Sequence, residues 1–489
     1  MGKPHPKSPG RIVSLFFLSL FLFFCFYRIQ KQDLVNVEFL TSDAVRRSWS
    51  ELLFNRLQMG HPPLYFFLTK LWVTIFDHNL ISLYAFSFVI GAIGIPLIYL
   101  LARELGLGRW SGVTALIWCT HPSILYYARY LRPQMGVIML CTLYLLILLQ
   151  DRGLHKWLLL PLGLMGALWS HLFIFFWLGI FGASLLIEKI RNKASREHWF
   201  FVVSALTTQI LATCLVKGFS GTIEETLGWI KPVTLPRSFE VFIQALGDIE
   251  AKIHHPSFFW IIPIFSLLSF IIVFIFNNRK GNRSTVSRHI NTRDKWNLLL
   301  TSSLIVIGIL LGVSIIAQPI WVPRYLVILL PVIILTTVKA LSFIPWRYTA
   351  TACGILIILG MITNSWQMID QRGFGLRDMI AQFENRYDKE RDVLLVLSTT
   401  GEEALQLYST KTFNHFVIER DIPPDTALLS FNEKTQDRQR LWVLEYPRKI
   451  SIMYTKMWKR LFKPNKFYEY RIHKTALLGY NLPKEIAAS

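Results

Sequence analysis

"ISLYAFSFVIGAIGIPLIYLLA", residues 81–102, carries no charged side chain along its whole length. A helix of that length crosses the hydrocarbon core of a bilayer. Comparable runs recur near 110–126, 134–150, 157–170, 172–188, 199–217, 257–276, 297–317, 322–340 and 348–366. Another opens the chain at 12–27, behind Lys3, Lys7 and Arg11. The bulky "FFCFYRIQ" that ends it offers no small-residue cleavage site, so it is expected to stay as an anchor. Lipid admits only helices or closed barrels, and these runs are continuous, not alternating. The expectation is an all-α polytopic membrane protein of about eleven transmembrane helices.

Composition agrees. Of 489 residues, 53% are hydrophobic and 17% charged. The net charge of +21 belongs to loops, because cytoplasmic loops of membrane proteins collect Lys and Arg. Neither zinc-finger spacing nor an aromatic RNA-binding motif accompanies it, so nucleic acid is excluded as a partner. The five cysteines all fall within apolar runs and read as small apolar residues, not as a disulfide or zinc framework.

Charge also orients the chain. With a cytoplasmic N-terminus, the inner loops include "EKIRNKASREH" (188–198) and "NNRKGNRSTVSRHINTRDK" (277–295), while the outer loops 168–172 and 318–323 carry no Lys or Arg. Residues 28–80, 121–133, 218–256 and the tail then lie outside. The sequon at Asn282 falls on the inner side and is discounted. A helix is expected near 237–252. The tail, from 367 to 489, reads as a small extracytoplasmic α/β domain following a transmembrane domain over 1–366. "DVLLVLST" (392–399) and "LWVLEYP" (441–447) are its strands and "GEEALQLYS" (401–409) its helix. "PRKISIMYTKMWKRLFKPNKFYEYRIHK" (447–474) reads as a basic helix, either solvated or lying on anionic headgroups.

Three outer stretches carry chemistry. Residues 36–59 hold Glu38, Asp43, Arg46, Arg47, Glu51 and Arg56, too charged to cross and too apolar to lie free. Surface helices fit that pattern. They lead into "HPPLYFF" (61–67), where Pro62 and Pro63 end one helix, start the next and hold His61 out of helical geometry. "HPSILYYARYLRPQ" (121–134) sets Arg129 and Arg132 among tyrosines, and "QPIWVPRYLVILLP" (318–331) sets Arg324 and Tyr325 at the mouth of a span. An arginine at a helix end can anchor in headgroups. Three of them outside, against the charge rule, each beside aromatics, point to an anionic ligand, since guanidinium grips phosphate through paired hydrogen bonds. Outer histidines at 61, 121, 171, 254 and 255 lack helical HxxxH spacing and a matching carboxylate set, so no metal or cofactor is expected.

The acidic outer segment, "HPPLYFF", "ARYLRP" and "PRYLVILLP", in this order, resemble the GT-C glycosyltransferases. More narrowly they resemble the bacterial branch of protein O-mannosyltransferases and lipid A aminoarabinose transferases, glycosyltransferase family 39, over roughly residues 12–345. The resemblance implies many transmembrane helices with surface helices in the first outer loop. It implies a polyprenyl-phosphate-linked sugar as donor, a lipid, glycan or protein acceptor, contact with membrane lipids, and a bacterial inner (plasma) membrane location. The family's acidic pair falls on Val37 and Glu38, so the expected aspartate base is absent. Glu38, or else Asp43, is then the catalytic carboxylate. His61 stands where the family has His or Lys near the donor phosphate. Arg132 with Pro133 matches its arginine-proline, with Tyr130 in place of an acid and Gln134 in place of a tyrosine. Arg324 and Tyr325 match its later arginine-tyrosine. The departures keep two other expectations open, a non-catalytic polyprenyl-lipid-binding partner or scaffold, and a transporter or polymerase of lipid-linked saccharides.

Overall fold

The computed structural model describes the chain except residues 1–9, 35, 151–156, 192–195, 219–232, 247–260, 280–291, 318, 345–346, 372–374, 397–398, 410, 418–437, 446–465, 473–474 and 482–489. By its contacts the chain divides into two units. One holds Met1–Tyr27 and Ala44–Ile369, the other Arg28–Asp43 and Asp370–Ser489. The segment expected as the start of the first outer loop therefore packs with the tail.

The first unit is helical. Helix α1 spans Gly10–Phe26, α2, which begins in the second unit, Asn36–Arg46, α3 Trp49–Gln58, α4 Leu64–Phe76 and α5 Leu80–Glu104. The chain continues through α6 (Ser111–Thr120), α7 (Pro122–Ala128), α8 (Gln134–Leu149), α9 (Leu159–Trp169), α10 (Phe173–Arg191) and α11 (Arg196–Gly218). Then come α12 (Leu235–Leu246), α13 (Ile261–Arg279), α14 (Thr292–Ile316), α15 (Leu330–Ser342) and α16 (Arg347–Gln371). Among the described residues, five helices are both long and apolar enough to cross a membrane, and six shorter apolar ones accompany them. The chain is a polytopic helical membrane protein, as its apolar runs require.

Two expected spans differ in detail. The run at 110–126 breaks into α6 and α7 because Pro122 has no N–H and forces His121 out of the helical region, at φ −67° and ψ 125°. The His121 ring then accepts the Ser123 N–H at 3.1 Å and caps α7. The run at 322–340 opens as a 3-10 helix, Pro323–Leu329, before α15. The amphipathic α12 covers the start of the expected 237–252 helix, and the rest of that range lies outside the described residues. It is held by hydrogen bonds from Trp321 Nε1 to the Ser238 carbonyl (3.1 Å) and from Ser123 Oγ to the Ala245 carbonyl (3.1 Å). At the end expected to face the cytoplasm, Lys295 pairs with Glu104, and Trp296 Nε1 donates to the Leu105 carbonyl at 3.1 Å, which locks α14 to α5.

Close approach of α5 and α6 depends on Gly94. A Cβ there would overlap the Trp118 indole, which cannot retreat because its N–H donates to the Gly91 carbonyl at 3.0 Å. Gly94→Ala is expected to cost about 1–3 kcal/mol. A lowered thermal midpoint of the detergent-solubilised protein would register it; an unchanged midpoint would mean that the two helices move apart freely.

The second unit is the small α/β domain. Helices α17 (Leu376–Glu384) and α18 (Thr399–Tyr408) accompany β1 (Asp392–Val396), β2 (His415–Val417), β3 (Arg440–Glu445), β4 (Lys466–Ile472) and β5 (Thr475–Asn481). The sheet order is β2-β1-β3-β5-β4, parallel on either side of β1 and antiparallel from β3 onward. Two strands were expected and five are present. The basic-helix expectation for 447–474 fails over 466–472, which is β4. Tyr468, Tyr470 and Ile472 alternate there with Glu469 and Arg471, a period of two that the surrounding lysines obscure. Residues 447–465 of that stretch lie outside the described residues. Asp392, fully buried in β1, is satisfied by Arg440 (2.6 and 2.9 Å), Trp442 Nε1 (3.0 Å) and the Asp388 N–H (2.8 Å).

Candidate functional site

His61 is placed by the way α3 ends. Gly60 adopts φ +67°, its N–H reaches the Leu57 carbonyl at 2.8 Å, and the His61 N–H reaches the Arg56 carbonyl at 2.9 Å. This is a Schellman ending, and Pro62 follows because the helix cannot continue. The motif brings Arg56 and His61 to one corner although five positions separate them. Phe66 of α4 packs against both, with the Arg56 guanidinium 4.9 Å from its ring centroid and the His61 ring 6.2 Å away.

Arg132 comes from the turn between α7 and α8, where its own N–H donates to the Tyr130 carbonyl at 2.8 Å. The next residue, Pro133, accepts Trp169 Nε1 at 2.9 Å, which ties the turn to the end of α9. Arg324 lies in the 3-10 segment, 5.5 Å from the ring centroid of buried Tyr325. The His171 ring meets that same tyrosine edge-on at 6.1 Å. Electrostatically these pieces form one group. Burial, followed by the charges of Arg132, the His171 ring, Arg56 and Arg324, holds the His61 pKa well below the ordinary histidine value. His171 is lowered to about 4 by burial, with Lys217 and Arg324 adding to it.

The structure therefore brings His61, Arg132, Arg324 and Tyr325 together within the first unit. It adds Arg56, His171 and Lys217, which the motifs did not single out as ligands. Arg129 is held elsewhere. Arg129 is fully buried, and its Nη1 donates to the carbonyls of Phe24 (2.8 Å), Cys25 (2.9 Å) and Tyr27 (2.8 Å), so it caps α1. Arg129, expected as a substrate ligand, thus has a structural partner in the end of α1. Of the two carboxylates, Glu38 is fully buried on the α2 face made by Thr41, Ser42 and Val45, and it belongs to the second unit. Asp43 lies off that stripe and is half-exposed.

A cluster of arginines around two neutral imidazoles can hold an anion whose remaining lone pairs take N–H donors. Because both pKa values are depressed, the preference of the fold for neutral rings is full above about pH 6.5 and is lost as pH falls toward 4. The thermal midpoint should fall on acidification from about pH 7 to about pH 4.5, and fall less in His171→Gln. An equal fall in the variant would show that other groups carry the effect.

Helices crossing the membrane, short helices after the first of them and a small α/β unit together make the fold of the GT-C glycosyltransferases. The crystal structure of ArnT from Cupriavidus metallidurans bound to undecaprenyl phosphate aligns at TM-score 0.57 and 12% identity, over 97% of this chain and 98% of that one. Its apo form aligns at TM-score 0.58 and 13% identity, over 98% and 99%. The oligosaccharyltransferase of Archaeoglobus fulgidus, tethered to an acceptor peptide, aligns at TM-score 0.48 and 11% identity, over 99% of this chain and 77% of that one. In sequence, residues 60–216 match the family described as dolichyl-phosphate-mannose-protein mannosyltransferase, a stretch that opens on Gly60 and His61 and includes Arg132 and His171. The resemblance carried by "HPPLYFF" and "ARYLRP" is thereby supported. No curated protein matches the chain at the level of sequence.

Proposed function

We propose that this protein transfers a sugar from a polyprenyl-phosphate carrier to an acceptor hydroxyl at the outer face of a bacterial inner membrane, with its N-terminus cytoplasmic and its tail domain outside. The observation that carries the proposal is the convergence of Arg56, Arg132 and Arg324 on His61 from three separate stretches of a GT-C fold. The ArnT that shares this fold binds undecaprenyl phosphate, which supports a lipid phosphate as the anion.

In this reaction the acceptor oxygen attacks the anomeric carbon as the bond from that carbon to the phosphate oxygen breaks. The electron pair leaves with the phosphate, the configuration inverts, and the acceptor proton passes to a carboxylate. Arg132 and Arg324 meet the charge that grows on the departing phosphate. Neutral His61 donates its ring N–H to the same group. Glu38 takes the proton. Asp43, further exposed and on another face of α2, is the second candidate.

The test is release of free polyprenyl phosphate by the reconstituted protein, offered a panel of polyprenyl-phosphate sugars and a crude acceptor extract. Arg132→Ala and Arg324→Ala should each lower kcat/KM by roughly 100- to 1,000-fold. Wild-type rates in both would overturn the phosphate site. No release from any donor, with lipid still bound, would favour the non-catalytic carrier-binding protein that Val37 already suggests.

A further inference from the structure

Helix α2 carries Glu38 on its buried face, and its residues up to Asp43 belong to the unit that holds the tail. The contacts are specific. Asp33, three residues ahead of α2, turns its Oδ2 to the Leu376 N–H at 2.7 Å and also takes the Arg377 N–H. It thus serves as a side-chain cap on α17 from a distant part of the sequence, while Gly375, at φ +65°, offers the helix no side chain of its own. The next residue, Leu34, donates its N–H to the Tyr408 hydroxyl at 2.7 Å, at the end of α18. Phe39, beside Glu38, meets the Tyr408 ring edge-on at 6.1 Å. The Arg377 guanidinium lies 5.0 Å from the same ring and donates to the Gln30 carbonyl. Asp33 and Leu34 are both buried.

We infer that Asp33 and Tyr408 are positioning residues, through which the tail domain fixes the start of α2 and with it the angle at which Glu38 is presented. The inference rests on the function proposed above. Neither residue touches the reacting atoms. Asp33 acts through its acceptor oxygen and not through its charge. Its Oδ1 makes no hydrogen bond among the described residues, and burial raises its pKa above the usual aspartate value. Asparagine keeps the acceptor oxygen and caps helices about as well as aspartate. Tyr408 acts through one hydroxyl that receives a backbone N–H, which phenylalanine cannot replace.

Full-length Asp33→Ala, Asp33→Asn and Tyr408→Phe decide it, read by amide hydrogen exchange and by donor turnover. In Asp33→Ala and Tyr408→Phe, exchange over residues 36–46 should accelerate about tenfold or more while strands β1 and β3 stay protected. Displacing a reacting group by about 1 Å costs on the order of 100-fold in rate, so kcat should fall roughly 10- to 100-fold with donor KM within about twofold. Asp33→Asn should match wild type in both readouts. Unchanged exchange over 36–46 in Asp33→Ala and Tyr408→Phe overturns the inference. So does an Asp33→Asn as slow as Asp33→Ala, which would make Asp33 itself the proton acceptor. If Asp33→Ala loses the whole tail fold, Tyr408→Phe, which keeps the ring, still decides. A wild-type protein without turnover refutes the transferase function, whereas the exchange measurement judges the clamp by itself.

Discussion

Glu38→Gln should abolish sugar transfer while leaving carrier lipid bound. Glutamine keeps the size of the side chain and its hydrogen-bonding oxygen, so the buried face formed with Thr41, Ser42 and Val45 is preserved. In the proposed reaction, what disappears is the capacity to accept a proton from the attacking hydroxyl. General-base catalysis contributes about 100- to 10,000-fold, and a loss of that size in kcat is expected. The cations assigned to the phosphate by the proposed function are untouched, so the dissociation constant for polyprenyl phosphate should stay within about twofold. Single-turnover release of the lipid phosphate, paired with equilibrium lipid binding, measures both. Asp43→Asn should lower kcat far less. Full turnover in Glu38→Gln, with loss in Asp43→Asn, would move the base by more than one turn of α2.

Arg129→Ala should lower stability by roughly 3–5 kcal/mol, and Arg132→Ala by far less. The two arginines are three residues apart and serve different ends. Arg129 closes the C-terminus of α1, where the last carbonyls have no partner within the helix and the helix dipole favours a cation. Its Nη1 reaches three of those carbonyls at 2.8–2.9 Å. Hydrogen bonds to a charged group are worth about 1.5–3 kcal/mol each and do not add in full. Removing the guanidinium leaves buried acceptors that no lipid can satisfy. Arg129→Lys should recover only part of the loss, because one ammonium on a flexible stem cannot reproduce the planar fork. Thermal unfolding in detergent separates these outcomes. A midpoint for Arg129→Ala equal to that of wild type would mean that α1 needs no cap.

Much of this architecture was legible in the sequence because the bilayer imposes simple requirements. Apolar length marks the helices, and prolines mark where they break, as at His121–Pro122 and His61–Pro62–Pro63. The sequence put His61, Arg132 and Arg324 on one expected side of a membrane, and their charges meet in the first unit. Arg56 was missed because it looked like one more charge on a surface helix. Its signal was Gly60, whose left-handed turn folds the residue four before it back onto the residue after it. The bonds of Arg129 to the end of α1 were not legible either, for a physical reason. An arginine beside tyrosines outside the membrane has the same sequence signature whether it meets a ligand phosphate or the carbonyls of a helix. Only the packing of α7 against α1 distinguishes them. The tail strands were harder still, since the charges within and around β4 hide its period of two.

The bond from Asp33 to α17 closes a loop of 343 residues. Translation at about 5–20 residues per second puts roughly 20–70 s between synthesis of the two partners. Through that interval the newly inserted chain carries Asp33 but not the helix that it caps. The N-terminus of α17 therefore gains its cap only after the whole of the first unit has been made.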